Sequence, residues 1–258
     1  MPEILWPHHE LSVEATLGPL HLRASLSLRA PWTVIFGPSG SGKSSILRAA
    51  CGLIPEAKVD FNRRTSPAPS IKTEDLKPGM VVGNFTVWQP LGSQPTHRRA
   101  LAYAPQHAAL FPHLSAGDNV RFSAQVGAPS SQHAALIEDV LELFHLHSLA
   151  GRMPAQLSGG ERRRVALGRA FAVPNARLLL LDEPFTGLDR ALRDELLPRM
   201  QAWLAARKIP VLSVTHDVDE ALLLGADVIR LEDGRVIAQG PAREVLAAER
   251  ERQLQALG

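Results

Sequence analysis

One cysteine among 258 residues, Cys51, cannot close an internal disulfide and suits a reducing compartment. It falls on an expected helix, where a packing role outweighs chemistry. A charge excess is missing too: 28 Lys and Arg oppose 26 Asp and Glu, for a formal net charge of +2. That balance provides no basic field and argues against nucleic acid as a partner. No run approaches the ~18 consecutive apolar residues of a membrane-spanning helix. Any task at a membrane therefore needs spanning subunits on other chains. The opening Met1-Pro2-Glu3-Ile4-Leu5-Trp6 lacks a basic stretch followed by a long apolar run, so it does not read as a signal peptide. Heptads and internal repeats are also absent, which removes long coiled coils and solenoids. What remains, 45% hydrophobic and 21% charged, is enough for one large globular domain or two smaller ones.

Residues 11–31 alternate apolar and polar through Leu20, Leu22, Ala24, Leu26 and Leu28, as half-buried antiparallel strands do. Trp32-Thr33-Val34-Ile35-Phe36 is a short continuous apolar run, the pattern of a buried parallel strand. A helix is expected over roughly 43–53, stopped by Gly52 and Pro55. Between 56 and 100 the pattern weakens. Residues 62–70 and 90–97 read as loop, with one or two strands in Met80–Trp88 between them. Leu101–Pro105 reads as a buried strand leading into Gln106. Helical spacing covers 133–149, and Ser158 is placed to cap a helix running to about Ala172. Strands at Leu178–Leu181 and Val211–Thr215 then alternate with helices at 190–207 and 217–224. A hairpin through Asp233-Gly234 and a helix over 241–256 follow. The alternation argues for a mostly parallel sheet covered by helices.

Gly37-Pro38-Ser39-Gly40-Ser41-Gly42-Lys43-Ser44 lies between the expected strand and helix, the context a phosphate-binding loop requires. Glycines let successive N–H groups approach a polyanion, and the helix start adds its positive end. The motif predicts Lys43 at the β- and γ-phosphates, Ser44 as a Mg²⁺ ligand and Ser45 at the α-phosphate. Asp182 ends a run of four leucines, so its carboxylate should emerge at the C-terminal edge of a buried strand, where α/β folds hold ligands. It is the expected metal partner, and Glu183 the candidate for activating an attacking water, with Pro184 fixing the turn. His8-His9 and His145-Leu146-His147 lack a completing Cys or acid cluster and read as ordinary surface or packing residues.

Leu157-Ser158-Gly159-Gly160-Glu161 resembles the signature of the ATP-binding cassette (ABC) family, and Arg162-Arg163-Arg164 before Val165-Ala166-Leu167 extends the match. The resemblance implies an α/β phosphate-loop NTPase with a mostly parallel core sheet, an N-terminal antiparallel β subdomain and an inserted helical subdomain. As one ABC ATPase domain over 1–258, it would place a RecA-like core with the β subdomain at 1–106 and 158–258 and the helical subdomain at about 107–172. It further implies ATP and Mg²⁺ as cofactors and a homodimer in which Ser158, Gly159 and Gly160 of one cassette meet the γ-phosphate held by the other. Gln106 resembles the glutamine that senses Mg²⁺, Asp189 in Gly187-Leu188-Asp189 the segment packing across the dimer, and His216 the switch histidine on the γ-phosphate. Implied partners are membrane permease subunits and, indirectly, a solute-binding protein, at the cytoplasmic face of the inner membrane. Phe111-Pro112-His113-Leu114 is the candidate surface for the permease.

Two departures qualify the match. Family members often stack adenine on an aromatic residue ahead of the loop, and Val13–Leu20 has none. The stretch from Gly52 to Gln106 is about twenty residues longer than usual, read here as a surface excursion. The segment Leu188–Pro198, together with the missing aromatic, resembles cassettes of molybdate importers. With the chain ending at Gly258, the likeness is to a version without their additional C-terminal oxyanion-binding domain. A soluble cassette ATPase acting on nucleic acid would bring coiled coils or a second loop, and a guanine-specifying motif is missing.

Overall fold

The computed structural model describes residues 6, 8–64, 81–82, 85–86, 99–124 and 131–257. Met1–Leu5, the 90–97 loop and most of the 65–98 excursion lie outside them. The chain divides into two units: Met1–Arg99 with Pro210–Gly258, and Ala100–Ile209.

In the first unit, β1 (His8–Leu17) and β2 (Leu20–Leu28) pair antiparallel around Gly18-Pro19, and β1 pairs on its other side with β4 (Lys58–Arg64). Alternation is the cause: Leu11, Val13, Leu22, Ala24 and Leu26 are buried while the residues between them face outward. The buried strand β3 (Trp32–Phe36) pairs parallel with β9 (Val211–Val214) and with β10 (Asp227–Glu232). β10 turns back into β11 (Arg235–Pro241), which meets β2 in parallel at Arg235 and Arg23. The turn uses positive φ at Asp233 (45°) and Gly234 (76°), and a Cβ at Gly234 would lie 2.5 Å from the His21 carbonyl oxygen. The Trp32 Nε1–H donates to Ser213 Oγ at 2.8 Å, pinning β3 to β9 inside the core. Helices α1 (Lys43–Ala50), α6 (Val218–Leu223), α7 (Ala242–Val245) and α8 (Ala247–Leu257) complete the unit, with the two-residue strands β5 (Val81–Val82) and β6 (Phe85–Thr86) paired antiparallel.

The second unit holds β7 (Leu101–Ala104) and β8 (Leu178–Asp182), paired parallel, with helices α2 (Ala116–Ala124), α3 (Ser131–Leu143), α4 (Gly159–Phe171) and α5 (Arg190–Arg207). Phe144 and Phe171 meet edge to face at 5.0 Å, and Gly168 lets α4 close on Leu146 and Val120.

The sequence expectations need four corrections. Residues 62–64 belong to β4, because pairing with β1 outweighs their polar character. The helix expected over 133–149 stops at Leu143, where His145 takes φ +51°, and a short 3₁₀ turn follows at His147–Leu149. The last helix is broken at Leu246 into α7 and α8. Helix α2 is absent from the sequence expectations; its local signal is Ser115, whose Oγ accepts from the Asp118 N–H at 3.1 Å.

Candidate functional site

In the first unit the parallel register of β3 and β9, with Ile35 opposite Val214, brings Gly37 and His216 to the same C-terminal sheet edge. The loop leaving β3 is held tightly. A Cβ on Gly37 would lie 2.1 Å from the Leu231 carbonyl oxygen, and Gly42, at φ +97°, serves as the N-cap of α1. With no side chain capping it and no acid in its first turn, α1 offers a helix start suited to an anion. The Lys43 ammonium donates to the carbonyls of Gly37 (2.9 Å) and Pro38 (2.7 Å), and Ser44 and Ser45 are half-buried on the first turn. Pro38, Ser39 and Gly40 are exposed, whereas Ser41 is buried and its carbonyl accepts from the Gly234 N–H at 3.1 Å.

His216 is exposed, and its neighbours are fixed. Buried Thr215 donates its hydroxyl to Glu220 at 3.0 Å and accepts from the Asp217 N–H at 3.1 Å, while Asp217 caps α6. Along β1 and β2 a cavity of about 600 Å³ is lined by Glu14, Thr16, His21, Arg23 and Arg235 among others, so the missing aromatic is not replaced there by a phenyl, phenol or indole ring.

In the second unit, Ala104 lies opposite Leu181, so Gln106 and Asp182–Glu183 also share one strand edge. Asp182 is 3% exposed, and the Tyr103 hydroxyl is 3.5 Å from its Oδ2. Glu183 takes φ +47°, a conformation rare for a side chain with a Cβ, and its carboxylate accepts from Thr186 Oγ1 at 3.1 Å. The side chain of Gln106 is exposed.

The signature residues open α4. Ser158 is its N-cap, paired with Glu161 in a reciprocal capping box. A Cβ on Gly160 would stand 3.2 Å from the Gly187 carbonyl oxygen, so only glycine fits there without displacement. Asp189 caps α5, accepting from the Leu192 N–H at 2.9 Å. His9 is buried and stacked on Phe61 at 5.0 Å, and His145 Nε2 lies 2.8 Å from Glu195 Oε1. Among the described residues no three His, Cys, Asp or Glu side chains gather as a metal cluster. Phe111, the candidate docking residue, meets Phe122 in a tilted pair (4.5 Å between ring centres) beneath the Arg169 guanidinium, and its backbone is clamped by buried Asn119. The sequence assigns no role of its own to Tyr103 or to Arg163, which it gives only as part of the basic triplet extending the signature match, and Arg163 is buried.

The family model for ABC transporters matches residues 23–186, and the chain belongs to that family. It is 37% identical over 243 residues to the molybdenum import ATP-binding protein ModC of Methylococcus capsulatus, covering 94% of this chain and 59% of the relative. A protein of the same name in Thiobacillus denitrificans is 40% identical over 216 residues, covering 83% and 54%. The chain thus spans about half the length of these curated relatives. Among solved structures, a dimeric post-hydrolysis state of an ATP-binding cassette bound to ADP and Pi superposes with a TM-score of 0.65 at 27% identity, covering 91% of this chain and 99% of that one. An ATP-binding subunit of an ABC transporter gives 0.72 at 23% identity, covering 95% and 92%, and speaks to the fold. The fold is the α/β phosphate-loop cassette of that family.

Proposed function

We propose that the chain is the ATP-binding and ATP-hydrolysing subunit of an importer for molybdate or a related oxyanion. The observation that carries this reading is similarity to molybdenum import ATP-binding proteins along 94% of the chain, with the phosphate loop and the Asp182–Glu183 strand end intact. Gly37, Ser39, Gly40, Ser41 and Gly42 cradle the phosphates through backbone N–H groups, Pro38 shapes the turn among them, and Lys43 lies at the β/γ-phosphates with Ser45 at the α-phosphate. The Ser44 hydroxyl, the Gln106 amide oxygen and the buried Asp182 carboxylate are hard oxygen donors that suit Mg²⁺. When bound, that ion neutralises charge on the β- and γ-phosphate oxygens. Glu183 takes a proton from the attacking water, and His216 hydrogen-bonds the γ-phosphate. In a homodimer, Ser158, Gly159 and Gly160 reach the partner's γ-phosphate, and Asp189 packs across the dimer. The homodimer sits peripherally on the cytoplasmic face of the inner membrane, energises a separate permease, and works indirectly with a solute-binding protein. No helix among the described residues is long and apolar enough to cross a membrane, in keeping with spanning subunits on other chains. Phe111–Leu114 offers the docking surface.

The test is co-purification from source membranes with tagged Glu183→Gln loaded with ATP. An oxyanion permease in the eluate supports the reading, and a different permease removes molybdate. Recovery of only ribosomal or DNA-repair proteins overturns the importer.

A further inference from the structure

Arg163 stands one turn into α4 and is 3% exposed. Its Nε donates to the Pro184 carbonyl at 2.9 Å. Nη2 donates to the carbonyls of Asp182 and Glu183, each at 2.6 Å, and Nη1 to those of Pro105 at 2.5 Å and Gln106 at 3.2 Å. Three consecutive peptide carbonyls starting from the last residue of β8 and two after β7 are thus gathered on one planar cation. Charge-assisted hydrogen bonds of this kind are strong, and the guanidinium's rigid fork fixes their directions. The backbone they hold includes Glu183 at φ +47°, which persists only where its surroundings over-determine it. An apolar side chain of similar volume would fill the space and leave these carbonyls without their donor, so the cation is there for its hydrogen bonds. The hydrogen bonds specify where the peptides carrying Asp182 and Glu183 point.

We infer that Arg163 is a positioning residue for ATP hydrolysis, holding the Glu183 main chain in its left-handed conformation and tying it to the Gln106 segment and to the start of α4. The signature turn, the acid-bearing loop and the Gln106 loop of one chain then shift together. This inference rests on the hydrolytic role proposed above.

The experiment measures kcat, KM and ATP affinity on the purified chain as wild type, Arg163→Lys, Arg163→Met and Glu183→Gln. Each Arg163 change is also made in the Glu183→Gln background, with melting temperature as the check on folding. Lysine keeps the buried charge but cannot span five carbonyls. Arg163→Lys is expected to lower kcat ~100-fold with KM nearly unchanged, the size of effect a small misplacement of a catalytic group produces. In the Glu183→Gln background the same change should lower turnover less than ~3-fold, because no base remains to misplace. Arg163→Met, if folded, should behave alike.

A kcat within ~3-fold of wild type overturns the inference. So does an equal loss in both backgrounds, and so does unfolding of both Arg163 variants at the assay temperature, since each marks a structural role alone. If the wild type binds no ATP, or Glu183→Gln turns over like wild type, the hydrolytic reading fails first and the inference falls with it.

Discussion

Ser158 and Glu161 hold each other across the first turn of α4: Ser158 Oγ accepts from the Glu161 N–H at 3.2 Å, and the Glu161 carboxylate accepts from the Ser158 N–H at 2.7 Å. The signature turn is therefore prefolded by its own side chains. Ser158→Ala should cost about 1 kcal/mol of stability through the lost cap, read by denaturant unfolding. On the proposed role it also weakens hydrolysis.

The same contact holds the Glu161 carboxyl below its ordinary value of 4.5, with the hydrogen bond from the Ser158 N–H as the largest cause. Asp118 is lowered chiefly by the Ser115 hydroxyl, and Glu195 chiefly by its hydrogen bond to His145. A carboxylate whose folded pKa is depressed stabilises fully above its unfolded pKa and stops doing so as pH falls through the folded one. The melting temperature should therefore fall as pH drops below about 4.5. In Glu161→Gln, which removes the titrating carboxyl, that acid-dependent fall should be smaller, and an unchanged fall would contradict the assignment.

The Lys43 ammonium spans two carbonyls of its own loop, and on the proposed role it reaches the β- and γ-phosphates. Lys43→Ala should lower ATP affinity ~10- to 100-fold, the range expected from losing charge-assisted hydrogen bonds. Titration calorimetry measures this directly, with the melting temperature of the free chain little changed.

Gly37 admits no side chain, because the obstructing atom, the Leu231 carbonyl oxygen at 2.1 Å, is backbone. Gly37→Ala should destabilise by about 1–3 kcal/mol and displace the phosphate loop. Gly151→Ala is the control: nothing lies within 4 Å of the added methyl, and its melting temperature should stay near wild type.

Burial pushes the Cys51 thiol up to about 12, against a smaller opposing pull from Arg99. A thiol raised this far stays protonated and unreactive. A disulfide reagent at pH 8 should leave the native chain unmodified and label it stoichiometrically in denaturant. Its contribution to stability is complete below pH 9 and is lost as pH rises toward 12.

What the sequence made legible was local. The runs Trp32–Phe36 and Leu178–Asp182, the loop between β3 and α1, and the cap at Ser158 all carry their signals within a few residues. Helix α5 was read in full despite Pro198 within it. What escaped was decided by distant partners. Residues Asn62–Arg64 form strand only because β1 supplies the ladder. Nothing local sets Arg163 apart from Arg162 and Arg164; the carbonyls of Pro105 and Asp182–Pro184 that converge on it come from distant segments. The break at Leu246 has no proline or glycine to announce it.

Hydrolysis of Mg–ATP by the purified chain, compared with Glu183→Gln, tests the central claim most directly. The account predicts that both bind ATP with Kd within ~3-fold, and that Glu183→Gln turns over ~10²- to 10⁴-fold more slowly, as loss of a general base requires. Equal turnover in the two proteins would contradict it.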